Sequence, residues 1–223
     1  MRIGFVTGIR KEEKLLRRNL AHSNYLTACS NAQPNNAYTL AMTLLNNGCK
    51  ILVSFGVAGG LDPSLKAGDI VCPNSVIGDD NVKYIVDKLQ HKTIVSHFSK
   101  NFKIAVEPLF STQIIIANTA EKQRLYQTYN AALVDMESLG VAKAAKERNC
   151  PFVVIRSIAD TATQNLPASS IDVINRNGNI QANRVVMKLI KNPKELPNLL
   201  KLASNSTKAF ISLKHIAKFG FGL

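Results

Sequence analysis

The sequence predicts a single-domain α/β fold, a mixed but largely parallel sheet flanked by helices, with a basic helical tail at the C-terminus. The run Phe152-Val153-Val154-Ile155 is apolar without alternation, as in a strand covered on both faces. Such runs alternate along the chain with segments of helical spacing, the pattern of a sheet with crossover helices. With 223 residues, 46% hydrophobic and 19% charged, the chain can bury one core of ordinary size. The expected boundary places the α/β domain at residues 1–190 and the amphipathic tail at 191–223.

Residues 2–7 form the first expected strand. Gly8-Ile9-Arg10 then turns into a helix carrying Glu12, Glu13, Leu15, Leu16 and Leu20. Residues 24–30 suit a short strand and 30–36 a polar loop. Pro34 suits the first turn of the next helix, which Asn46-Asn47-Gly48 ends. Residues 51–55 and 69–77 follow as strands. Residues 78–99 are polar and weakly patterned, which predicts a loop with about one helical turn. Residues 111–116 suit a strand and 121–129 a helix. After a strand ending near Val134, the residues Val141, Ala144, Ala145 and Arg148 alternate with Lys143, Lys146 and Glu147 at helical spacing. Asn149-Cys150-Pro151 stops that helix, and the apolar strand runs to Asp160. Residues 161–179 look loop-like, with Pro167 and Arg176-Asn177-Gly178 as breakers, and 180–190 helical. In the tail, Leu199, Leu202, Phe210, Leu213 and Ile216 share one side of a helix. Lys201, Lys208, His215 and Lys218 share the other. That layout suits an interfacial helix on an anionic membrane and equally an ordinary last helix packed on the domain.

No segment approaches the ~20 apolar residues of a membrane span. The N-terminal run Ile3-Gly4-Phe5-Val6 is too short for a signal-peptide core, so a cytoplasmic location is expected. Cys29, Cys49, Cys72 and Cys150 are scattered without metal-ligand spacing; reduced thiols and no metal site are expected. The net charge of +13 suits a nucleic acid, an anionic membrane or a basic proteome. Aromatic residues are only 6%, Trp is absent and basic-aromatic interleaving is missing, so no nucleic-acid partner is expected. His22, His91, His97 and His215 have no partner pattern.

Two acids flank the helix and strand between Val134 and Ala162: Glu137 at the helix start, Asp160 at the strand end. Ligands of open α/β sheets bind beyond the carboxyl ends of the strands. Two carboxylates delivered there can divide the work, one binding sugar hydroxyls and one giving a proton to a leaving group. Upstream, Gly56, Ala58, Gly59 and Gly60 follow an apolar strand, and small residues let backbone N–H groups approach an anion or a sugar. This run lacks both the Lys-Ser/Thr of a P-loop and the G-x-G-x-x-G of a dinucleotide site. Alone, each feature has an ordinary rival: a tight turn for the glycines, a strand-ending turn for Asp160, a first-turn acid for Glu137, Glu12 and Glu13. Arg156, four residues before Asp160 and so expected on the same strand face, suits a structural role more than that of a phosphate ligand.

The blocks SFGVAGGLDPSLKAGDIV, VDMES and RSIADTA, with the opening MRIGFVTGIRKEE, resemble the nucleoside phosphorylase and nucleosidase superfamily. It includes purine nucleoside phosphorylases and the nucleosidases acting on methylthioadenosine and S-adenosylhomocysteine. The blocks cover most of residues 1–190 in the family's order. The compact length, VDMES, NPKELPNLLKLA and the basic last helix look most like the hopanoid-associated phosphorylases, which are assigned to removing adenine from adenosylhopane. The resemblance implies that Asp160 is the general acid toward the purine, that Glu137 binds the ribose hydroxyls and that Met136 packs on the sugar. It implies that Glu12 activates water in the hydrolytic branch and that residues 56–60 floor the ribose site. Val57 departs from that branch, which usually has a hydroxyl residue there, and the segment before Glu121 does not match the family's base-binding loop. A phosphate co-substrate would rest on N–H groups at Gly8 or Gly56, helped by Ser30 or Ser54 and by Arg10. Val57 and the glycine run tilt the expectation toward phosphate over water; no other cofactor is expected.

The leading function is therefore release of adenine from adenosylhopane or another 5′-modified adenosine, by an enzyme held peripherally on the inner membrane face through its tail. The alternatives are a soluble methylthioadenosine/S-adenosylhomocysteine nucleosidase or purine nucleoside phosphorylase, and a non-catalytic nucleoside or nucleic-acid binder. Intact Glu137 and Asp160 argue against the last. A homodimer is the family-level expectation.

Overall fold

The computed structural model describes residues 1–20, 24–171 and 181–223. Ten strands form one mixed sheet: β1 (Ile3–Thr7), β2 (Tyr25–Cys29), β3 (Ile51–Gly60), β4 (Ile70–Val71), β5 (Ser75–Gly78), β6 (Lys83–Ile85), β7 (Ile104–Ala105), β8 (Leu109–Ser111), β9 (Leu133–Asp135) and β10 (Phe152–Asp160). The order is β6-β5-β8-β9-β3-β10-β4-β7, with β1 joining β2 to the first half of β3. The pairs β1–β2, β1–β3, β3–β10, β4–β7, β5–β8 and β8–β9 are parallel, so the sheet is largely parallel as expected. Seven helices accompany it among the described residues: α1 (Arg10–Asn19), α2 (Pro34–Asn46), α3 (Lys88–Phe98), α4 (Thr119–Tyr129), α5 (Ser138–Glu147), α6 (Ala182–Lys191) and α7 (Leu196–Phe219).

Both faces of the central strands are covered, which explains their unbroken apolar sequence. Ile51, Val53 and Phe55 of β3 join Phe5, Val153 and Ile155 against Leu16 of α1, Phe98 of α3 and Leu213 and Ile216 of α7. Leu52, Val154 and Ile158 face the other way, onto Ala41 and Leu44 of α2 and Val141, Ala142 and Ala145 of α5. Alanines on α2 and α5 let those two helices lie close together on the sheet.

Several expectations need correction. Residues 78–99 hold β6 and the eleven-residue α3 instead of a loop. Only Ile94 and Phe98 of α3 are buried, so its apolar stripe is thin; its start is marked by Asp87, whose side chain accepts from Gln90 N–H at 2.8 Å. The expected strand over 69–77 is two, β4 and β5, split around Pro73, which has no N–H for a ladder. The strand expected at 111–116 is displaced to β8, and 112–116 run on as an irregular segment. The glycine run is not a turn: β3 continues to Gly60, where Gly59 and Gly60 pair with Val134 and Leu133 of β9. The breaker Arg176-Asn177-Gly178 and His22 lie outside the described residues.

The largest correction concerns the C-terminus. The boundary at 190/191 does not separate a tail, because α7 lies on the same core as β3 and β10. Leu213 and Ile216, from the stripe suited to a membrane, are buried, and Phe210 is half-buried. Beyond α7, Phe221 inserts among Phe5, Phe55 and Phe98, with ring centroids 4.8, 5.8 and 6.1 Å away. A fully buried side chain of this size contributes roughly 1.5–3 kcal/mol. Three of them approach the ~5–15 kcal/mol that separates folded from unfolded domains. A chain ending at Asn198 is therefore expected to lose cooperative unfolding in a denaturant titration followed by circular dichroism. A sharp, native-like transition in that fragment contradicts the packing role of α7.

Candidate active site

The carboxyl ends of β1, β3 and β10 and the turn from β9 into α5 enclose a cavity of about 280 Å³. Glu12, Met136, Glu137 and Asp160 line it, with Gly8 and the backbone around Val57 at its floor and Ile114, Ile115 and Leu166 near its mouth. Sequence segments more than a hundred residues apart thus deliver four carboxyls to one hollow, that of Asp135 among them.

Glu12 sits in the first turn of α1 and is buried. Its Oε2 accepts the N–H groups of Gly8 and Ile9 at 2.9 and 3.0 Å, and its Oε1 accepts that of Val57 at 2.9 Å. One of these, the Gly8 N–H, is a group on which a phosphate was expected to rest. The anion they cradle is the chain's own carboxylate. A β-carbon on Gly56 would lie 2.6 Å from Glu12 Oε1, so glycine is required there by the close approach of that side chain. Gly8 plays the same part for Glu137, whose Oε1 would stand 2.9 Å from a β-carbon at that position. Ser30 Oγ lies 3.3 Å from Glu137 Oε1 and 3.3 Å from the Gly8 carbonyl.

Behind this hollow lies an ion pair that sequence reasoning did not identify. Arg156 is 1% exposed, and its Nε and Nη2 donate to Asp135 Oδ2 at 2.8 and 2.6 Å. Nη2 also reaches Ser54 Oγ at 2.7 Å. Asp135 is otherwise satisfied by Ser111 Oγ at 2.7 Å on Oδ1 and Ser138 Oγ at 2.5 Å on Oδ2. The available signals were an arginine directly after the apolar run Phe152-Val153-Val154-Ile155 of β10 and a serine within the apolar first half of β3. Asp160 has a second unanticipated partner, Lys122 of α4, at 2.5 Å.

Burial raises the carboxyls of Glu12 and Asp160 above their ordinary values; Arg156 and backbone N–H groups oppose the rise at Glu12, and Lys122 opposes it at Asp160. Glu137 is pushed up to about 8, first by burial and then by the Asp135 charge, against the pull of Arg156. A protonated Glu137 also relieves the crowding of negative charge in the hollow.

Of the expected phosphate ligands, Gly8, Gly56 and Ser30 are at the site but face carboxylates. Arg10 is not brought to it: Arg10 is two-fifths exposed, pairs with Glu13 at 2.6 Å, and lines a separate groove between α1 and α7 with Lys11 and Lys14.

The Phosphorylase superfamily matches residues 27–191. This chain belongs to that superfamily. It is thereby an enzyme of the nucleoside phosphorylase and nucleosidase type. It is 26% identical over 179 residues to the 5′-methylthioadenosine/S-adenosylhomocysteine nucleosidase of Buchnera aphidicola, covering 71% of each chain. The protein of the same name from Staphylococcus aureus is 24% identical over 184 residues, 72% of this chain and 74% of that one. The fold is similar to that of Helicobacter pylori 5′-methylthioadenosine/S-adenosylhomocysteine nucleosidase with butyl-thio-DADMe-Immucillin-A: TM-score 0.70, 15% identity, 96% of this chain and 97% of that one. It is equally similar to the futalosine hydrolase of Helicobacter pylori, with TM-score 0.70, 16% identity and 96% of each chain.

Two outcomes follow from the buried charges. Arg156→Met leaves Asp135 uncompensated and is expected to cost about 3–5 kcal/mol in a urea titration; a change under about 1 kcal/mol contradicts a buried, dry pair. For Glu137, a folded-state value above the ordinary 4.5 means that the folded form favours the proton. Its contribution is full below pH 4.5 and is lost as pH rises to about 8. The melting temperature of Glu137→Gln relative to wild type should therefore climb across that window. A difference that stays flat with pH contradicts a proton on Glu137.

Proposed function

We propose that this enzyme hydrolyses the N-glycosidic bond of a 5′-modified adenosine and releases adenine. The observation that carries the choice of water over phosphate is the position of Glu12. Its carboxylate fills the three N–H groups of Gly8, Ile9 and Val57, leaving a phosphate no anion site there. The same side chain lines the cavity, and burial makes it more basic than a free carboxylate, which suits a general base. The earlier tilt toward phosphate rested on Val57 and the glycines. Val57 works through its backbone, and Gly56 makes room for Glu12.

In this proposal the bond between C1′ and the base breaks with its electron pair moving to the base. Asp160 gives that base a proton. Glu137 hydrogen-bonds the ribose hydroxyls and so orients the sugar, and Met136 packs on the ring. Water adds to C1′ while Glu12 takes its proton.

Ile9, Ala32 and the exposed pair Ile114 and Ile115 give the mouth an apolar character that supports an apolar 5′-substituent. Two substrates of that kind are carried forward: a methylthioadenosine-like nucleoside, supported by the curated relatives, and a lipid-linked one such as adenosylhopane, supported by the two isoleucines left facing outward. A second copy of the chain covering that mouth belongs to the same proposal. No described helix is long and apolar enough to cross a membrane. Peripheral attachment would depend on the outer lysines of α1 and α7, since much of the apolar stripe of α7 lies in the core.

The test is adenine release from methylthioadenosine, S-adenosylhomocysteine and adenosylhopane in phosphate-free buffer. Undiminished release with free sugar as product is expected, with Glu12→Gln and Asp160→Asn each falling by roughly 10²-fold or more in kcat. A requirement for phosphate, with a sugar 1-phosphate as product, sinks the hydrolase assignment.

A further inference from the structure

Lys122 lies in the first half of α4 and is completely buried. Its Nζ donates to Asp160 Oδ2 at 2.5 Å and to the carbonyls of Thr161 and Gln164, each at 2.9 Å. An ammonium has three N–H bonds, so every one is committed. Lys122 does not line the cavity; it stands behind Asp160. Asp160 Oδ1 has no hydrogen-bond partner among the described residues, and Asp160 itself lines the cavity. The segment that follows is held from other sides as well. Leu166 N–H donates to the Ala117 carbonyl at 2.8 Å, and Asn205 of α7 donates to Gln164 Oε1 at 2.8 Å. Holding that segment does not need a charge. Placing an ammonium out of water costs several kcal/mol unless its partners repay it. A buried cation here therefore calls for a role beyond the clamp.

We infer that Lys122 is a positioning residue for glycosidic cleavage: its fixed charge stabilises the carboxylate that Asp160 becomes as it protonates the departing base, a role that rests on the hydrolase assignment above. The electron pair of the C1′–N bond goes to the base. The proton on Asp160 Oδ1 moves to a base nitrogen, and Asp160 is left anionic beside Lys122, which keeps its own three protons. Water adds to C1′ and gives its proton to Glu12; Asp160 regains a proton from solvent after the base leaves. A charge already in place costs no reorganisation at that moment. Lys122 is the cation facing Asp160. Across the cavity stand Glu12 of α1, Asp135 of β9 and Glu137 at the start of α5, while Arg156 is committed to Asp135. Gly59 of β3 touches Asp160 with no side chain, and residues 161–166 carry no ionisable group.

Asp160 acts in its protonated form, so the rate falls as pH rises through its pKa. Lys122 holds that pKa below the value an unpaired buried acid would have. Removing the charge must therefore move the alkaline fall of kcat/KM to higher pH. The variants are Lys122→Gln, which keeps N–H donors for the loop without the charge, and Lys122→Arg, which keeps the charge. Each is checked for folding by circular dichroism and assayed for base release from methylthioadenosine across pH. A 4-nitrophenyl riboside, whose leaving group departs without a proton, is assayed in parallel. Expected for Lys122→Gln is a loss of roughly 10²-fold in kcat on the nucleoside. The alkaline limb should move up by about one pH unit or more, the loss on the nitrophenyl riboside should be much smaller, and Lys122→Arg should restore the limb. An unmoved limb, or equal losses on both substrates, overturns the inference and leaves Lys122 a clamp. A carboxyl-carbon NMR titration of Asp160, assigned with Asp160→Asn, needs no turnover. A higher Asp160 value in Lys122→Gln than in wild type supports the coupling, and an equal value overturns it. Wild-type protein that releases no base from any nucleoside instead refutes the hydrolase assignment, which that titration distinguishes from a failure of the pair.

Discussion

Four carboxyls, those of Glu12, Asp135, Glu137 and Asp160, are buried at one edge of the sheet, and among the described residues two buried cations stand beside them, Arg156 and Lys122. A lone carboxylate in such a place costs many kcal/mol, so each group needs a partner or a proton. The fold answers differently for each. Asp135 has Arg156 and two serine hydroxyls. Glu12 has three backbone N–H groups. Asp160 has Lys122. Glu137 has one hydroxyl and the weakest set of partners, and burial together with the Asp135 charge pushes its carboxyl up to about 8. The division of labour proposed for the acids rests on this unequal distribution of partners, because a group's readiness to take or give a proton is set by what surrounds it.

That distribution depends on backbone placement. Glu12 reaches Val57 N–H only because Gly56 has no side chain to block it, and Glu137 lies over Gly8 for the same reason. Arg156 reaches Asp135 because β10 and β9 flank β3 on opposite sides. The register of β3 with β10 shifts between Ile158 and Asp160, a bulge that breaks the two-residue alternation just before the acid. Counting four residues from Arg156 thus does not put Asp160 on the same face. Bulges of this kind re-aim side chains near sites, and this one ends at the residue that the cavity exposes.

The fold was legible where periodicity is strong. The parallel core, α1, α2, α4 and α5 follow from apolar runs and from breakers such as Pro34 and Asn149-Cys150-Pro151. It was illegible where burial is thin, as in α3 with two buried residues, or where one residue splits a run, as Pro73 does. At the site, Glu12, Glu137 and Asp160 stand out because their flanking motifs are long. Lys122 does not, since a lysine on a helix that also carries Glu121 and Arg124 reads as one more solvated charge. Nothing in local sequence tells that its stem points inward; that is decided by how α4 lies on the segment after Asp160. The stripe on α7 illustrates the same limit. Leu213 and Ile216 have helical spacing whether they meet lipid or Phe55, and only the packing of α7 on β10 and β3 decides between them.

The glycine-rich floor shows how one motif can serve more than one anion. Small residues beside exposed N–H groups do mark an anion site here, as their chemistry requires. The anion is supplied in cis, by the third residue of α1, and the helix that carries it starts at the end of β1 so that Gly8 and Ile9 donate to the same carboxylate oxygen. An anion site filled from within has two consequences. Its charge is already neutralised, which lowers the affinity left for a free phosphate. The occupying carboxylate is also held by three donors while lining the cavity, so that under the proposed hydrolysis a water molecule bound against it meets a base that does not have to reorganise. Under the proposed hydrolysis, the device that satisfies the backbone disfavours one nucleophile and prepares the other.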